Sequence, residues 1–198
     1  MLDKGMVTQT TAFLFDYVLP AAADYFAAEQ ALSQAYNATK NLANCQLAAN
    51  LAIRRACEAC VAMDGLTDRA HIETGQSLTA IRAAIDPLCT INGYHRADAF
   101  VRVSAAANAY KHSDLSNPRH PISSFGNILA VGLGFGLDGF GIGKYSGVEV
   151  ILTLSNGQQR KMLGDIPYAA RGWLSYLQAN GAALPPAPIT VCNVAIWP

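Results

Sequence analysis

Apolar positions recur at helical spacing through roughly the first 112 residues and at alternating spacing near 150. This predicts a mainly α chain with a small β appendage. The first helix is expected over 10–34, with Phe13, Tyr17, Ala21, Ala28 and Ala31 along one line and Pro20 marking a kink or break. The second spans 38–63, where Leu42, Cys45, Ala49, Ala52, Ala56 and Ala59 or Cys60 form a small-residue stripe suited to close packing, and Gly65 caps it. Residues 66–72, with Asp68, Arg69 and His71, read as a solvated loop. A third helix over 73–89 carries Leu78, Ile81 and Ile85, and a fourth over 97–112 ends in a polar, proline-flanked turn. Four helices joined by short loops give an up-and-down four-helix bundle over 1–121.

Beyond Pro121 the period changes. An apolar run at 128–131 precedes the glycine-rich stretch 132–147, and 148–155 alternates before Asn156-Gly157, the signature of a hairpin turn; 158–163 is the return strand. Asp165 as N-cap and Pro167 open a final helix to Ala179, anchored by Trp173 and Leu177. The tail run 189–194 is suited to an edge strand. Residues 122–198 thus read as a flap, an antiparallel β-hairpin or small sheet, a C-terminal helix and a tail, packed on the bundle as one compact domain.

Composition narrows the function. Of 198 residues, 52% are hydrophobic and 14% charged, with a formal net charge of zero, so no global field draws the chain to nucleic acid or to an anionic membrane. So little charge on so apolar a chain implies a surface covered by a partner, most simply in a homo-oligomeric dimer. The apolar run 11–28 is interrupted by Asp16, Pro20 and Asp24, which excludes a membrane span or signal peptide, and five cysteines without disulfide density fit a reducing cytoplasm. Cys57-x-x-Cys60 lies within a helical pattern and reads as core thiols; no histidine spacing suits a metal. Gly134-x-Gly136-x-x-Gly139 matches a dinucleotide fingerprint in letters only, because no helix follows to receive a phosphate. No cofactor is expected.

The densest polar cluster lies around the fourth helix. Asp98 and Arg102 stand at i and i+4 as a surface pair, and Asn108 and His112 at i and i+4 present an amide beside an imidazole. The stretch Asn108-Ala109-Tyr110-Lys111-His112 near the end of a helical domain resembles the HEPN superfamily of helical bundles, whose motif is an Arg, a polar residue, three variable residues and a His. Here Asn108 and His112 stand at the motif's positions and Ala107 at that of the Arg. The resemblance, covering roughly 10–115, implies either a non-catalytic, dimeric interaction module with a protein or RNA partner, or a metal-independent ribonuclease. In the ribonuclease His112 would move a proton, with Asn108 and Arg119 orienting the phosphate. A third possibility is a small ligand held beneath the glycine-rich flap, against Phe135, Phe140 and Tyr145.

Overall fold

The computed structural model describes residues 7–112, 114–115, 120–133, 137–138, 142, 144 and 147–198. It is mainly helical with small antiparallel sheets. Helix α1 (Thr8–Phe13) runs through a π-helical turn, Leu14–Val18, into α2 (Leu19–Thr39), so Pro20 falls in the first turn after the widened segment. A proline there removes an N–H that the widened turn leaves without its usual acceptor, and the rod continues instead of breaking. Lys40, at φ 51°, turns the chain; a 3-10 turn over Leu42–Cys45 then leads into α3 (Gln46–Thr74).

Helix α3 is 29 residues long, and this corrects the expected loop at 66–72 and the expected cap at Gly65. The cap is Gly75, at φ 69°, whose N–H donates to His71 O at 2.9 Å. Leu66, Thr67 and Ala70 are buried, so the face that packs inward continues past the polar trio and tertiary contact extends the helix. The expected third helix shortens to α4 (Leu78–Ile85) and a 3-10 turn, Asp86–Leu88: α3 takes its first residues up to Thr74, Ser77 caps the new start, and Pro87 ends the α-helical part. Strands β1 (Thr90–Ile91) and β2 (Tyr94–His95) form a tiny hairpin whose turn, Asn92-Gly93, has both φ angles positive. It lies just before α5 (Ala99–His112).

Strands β3 (Ile128–Leu133), β4 (Gly147–Thr153) and β5 (Gln159–Lys161) make an antiparallel sheet in the order β3-β4-β5, with the expected hairpin between the last two. Helix α6 (Met162–Ala179) begins at Met162, with Lys161 at its cap; Asp165 lies inside its first turns and caps nothing. Strands β6 (Ile189–Val191) and β7 (Val194–Trp197) close the tail as a hairpin with Cys192 and Asn193 at positive φ.

Packing runs α2 on α3, α3 on α5 and α5 on α6, with β4 against α2 and α6. Most of α6 is buried. Its Trp173 meets Phe100 edge-on at 5.6 Å and Tyr176 at 5.6 Å, a geometry favoured by ring quadrupoles. The small-residue stripe of α3 (Ala49, Ala52, Ala56, Ala59, Cys60) is buried as its spacing implies. Among the described residues no helix is long and apolar enough to cross a membrane.

Candidate functional site

Of the three candidate site residues, the structure describes Asn108 and His112, both on α5. Asn108 is half-buried and His112 exposed in the last turn of α5, and the His112 ring bonds to no described residue. Arg119 lies outside the described residues, as do Phe135, Phe140 and Tyr145. Lys111 turns away to Asp64, with Nζ 3.3 Å from Oδ2; the same buried carboxylate accepts from Ser104 Oγ at 2.7 Å and Arg82 Nη2 at 3.3 Å. Arg54 and Arg55 both pair with Glu58. Ala107, at the position where the HEPN motif has its Arg, is buried in the core. Cys57 and Cys60 are core thiols, and burial pushes Cys57 up to about 12.

The expected surface pair Asp98–Arg102 is replaced by an interior one. Arg102 is buried and forks onto Asp165 through Nε to Oδ2 (2.8 Å) and Nη2 to Oδ1 (2.7 Å), with Nη1 donating to Ala97 O. Arg96 donates Nε to the same Asp165 Oδ1 at 2.6 Å and also pairs with Asp138. Arg160 reaches Asp138 at 3.3 Å, and Lys161 N–H donates to Asp138. Burial opposes the charge on Arg96, but Asp165 and Asp138 outweigh it and hold the guanidinium above its usual range. Arg96 crosses Gly164 so closely that a Cβ there would stand 2.8 Å from its Cζ. Bidentate geometry on both carboxylates offsets part of the desolvation such a cluster incurs.

A second network surrounds Glu29, which is fully buried on α2. Its carboxylate accepts from Tyr25 OH (2.8 Å), from Lys144 Nζ (2.7 Å) and from the Val150 N–H (2.7 Å). Lys144 Nζ also donates to Val148 O at 2.8 Å. Strand β5 ends at Lys161, opposite Ile151, so beyond it β4 would expose bare peptide groups. Glu29 and Lys144 take that edge in place of a strand. Burial, then the Glu29 charge, raises the Tyr25 phenol well above its usual value. Glu149, in the same strand, is buried, accepts from the Lys144 N–H and lies 3.4 Å from Lys161 Nζ, while its Oε2 has no partner among the described residues. Burial raises its carboxyl, and Lys161 offsets part of the rise.

Beside this network lies a cavity of about 580 Å³ between α2 and the C-terminal hairpin. Phe26, Gln30, Ser33 and Gln34 of α2 form one wall; Lys144, Leu163, Cys192, Asn193 and Val194 complete it. Lys144 is the one charged group among these, and its four acceptors (Glu29 Oε2, Glu29 O, Ser33 Oγ and Val148 O) outnumber its three protons.

The sequence matches no family model, no curated protein and no solved structure.

Sequence reading missed both networks. Their signal was a lone charge in an apolar run: Glu149 between valines, Asp165 ahead of Ile166-Pro167.

Proposed function

We infer that this protein is a non-catalytic binding module whose site is the cavity between α2 and the C-terminal hairpin. The cavity itself carries this reading. Its volume lies in the range of small-ligand sites, and it combines apolar walls with a few convergent amides, the usual composition of such sites. Lys144, of the glycine-rich segment, contributes to this cavity, which supports a ligand site near that segment. The resemblance to HEPN proteins agrees with a non-catalytic role, because a buried Ala107 offers a phosphate no cation and Lys111 is held by Asp64.

A fragment library screened by ligand-observed NMR tests the reading. Hits are expected whose signals disappear in Val194→Trp, which fills the cavity, and persist in His112→Ala. Should Val194→Trp fail to fold, Gln34→Leu on the exposed rim replaces it. Hits indifferent to both cavity variants would remove the site from consideration.

Self-association is a second reading, favoured by Leu47 and Leu51, one turn apart on α3 and exposed, Leu47 at 87%. A dimer is expected by light scattering at micromolar concentration, and a monomer after Leu47→Glu with Leu51→Glu. A monomeric wild type ends this reading.

A further inference from the structure

A smaller cavity of about 180 Å³ adjoins the first. The two share Leu163 and Val194 as walls, so those side chains stand between them. The contrast between the two is chemical. The larger chamber presents the amides of Gln30, Gln34 and Asn193 beside Phe26, whereas the smaller is walled chiefly by Ile91, Ile142, Pro167 and the rings of Tyr94 and Tyr168, with Asn92 as its one amide among the described residues.

Resting on the pocket reading above, we propose that the ligand is a neutral amphipathic molecule. Its amide- or hydroxyl-bearing head lies in the larger chamber, and a short apolar tail passes Leu163 and Val194 into the smaller one. The head is neutral because the one ammonium in the wall has no proton to offer. Lys144 already faces four acceptors, and its charge is matched by Glu29 at 2.7 Å. An anionic head would lose its hydration and find no free cation in exchange among the described lining residues. Gln30, Gln34 and Asn193 are exposed at the rim and supply both donors and acceptors, which is what an amide or hydroxyl head requires. The tail is apolar because Ile91, Ile142 and Pro167 present no hydrogen-bonding side chain. Gly164 contributes a bare backbone to the slot, and Arg96 lies against it from the other network, so the slot floor is fixed.

The probes are the primary amides from butanamide to octanamide and the carboxylates of equal length, titrated into the full chain at neutral pH with Kd measured by ligand-observed NMR. Affinity of the amides is expected to rise about three- to fourfold per methylene until the slot is full. Each carboxylate is expected to bind at least about tenfold more weakly than its amide. Tyr94 is 75% exposed, so Tyr94→Ser leaves the fold intact; it should flatten the dependence on length while sparing butanamide. Gln34→Leu should weaken every amide alike.

A series without length dependence, or carboxylates equal to amides, overturns the proposal. The pocket reading survives that outcome if the amides remain sensitive to Gln34→Leu. No binding by any amide also overturns it, and library hits lost in Val194→Trp would then still support the pocket.

Discussion

Single side chains decide how this interior tolerates charge. Asp165 is fully buried and serves two guanidiniums, so Asp165→Ala would strand Arg96 and Arg102 in the core. Breaking a buried pair in this way costs about 3–5 kcal/mol. The melting temperature is expected to fall on the order of 10 °C by circular dichroism. Asp98 is exposed at φ 59°, a conformation asparagine tolerates, and Asp98→Asn should stay within about 0.5 kcal/mol of wild type. Glu149 supplies a pH signature. Burial raises its native carboxyl above the ordinary 4.5, so the native state keeps a proton that the unfolded chain has released. Stability from this group therefore falls as pH rises from about 4.5 through the raised native value and is flat above it. Urea titrations of Glu149→Gln against wild type should show a difference that moves in the variant's favour across that window; a difference independent of pH would contradict it.

At the scale of elements, two glycines inside helices make opposite predictions. A Cβ at Gly65, in the second half of α3, would meet Phe13 at 3.9 Å, an ordinary contact. Gly65→Ala should gain about 0.5–1 kcal/mol of helix propensity and raise the melting temperature by roughly 2 °C. At Gly172 in α6 the added atom would stand 2.9 Å from Cys89 Sγ and 3.1 Å from the Ile85 carbonyl, and Gly172→Ala should cost about 1–3 kcal/mol. Thermal melts of the pair decide both. The same contrast explains what was legible in the sequence. Gly65 reads as a helix end because glycine commonly is one, yet Leu66 and Ala70 pack inward and carry the helix on to Gly75. The hairpin at Asn156-Gly157, the α3 stripe and the Trp173 anchor follow from local pattern and were readable. Arg102 was not: its partner Asp165 is 63 residues away, and the nearer Asp98 offered a local alternative that the fold does not use. The cavity joins α2 to the last hairpin and leaves no periodic trace in either segment.

For the whole molecule, the deciding fact is that most of α6 is buried among α3, α4, α5 and β4. The helical part at 1–121 lacks that element, so a fragment of those residues is expected to show no cooperative urea transition by far-ultraviolet circular dichroism. A cooperative transition there would establish the helices as a unit of their own. The five thiols are all buried, and three of them, Cys57, Cys89 and Cys192, are pushed up to about 12 by burial. A thiol-specific reagent should find none reactive in native protein within minutes and five in denaturant. The position of α6 also bears on biosynthesis. On the ribosome α5 emerges roughly fifty residues ahead of the helix it packs on, a wait of several seconds at ordinary elongation rates. During that interval Phe100 and the alanine face of α5 stand open to other nascent chains. The chain is therefore expected to lean on chaperones more heavily than its size suggests, and to recover poorly when synthesis stalls before Met162.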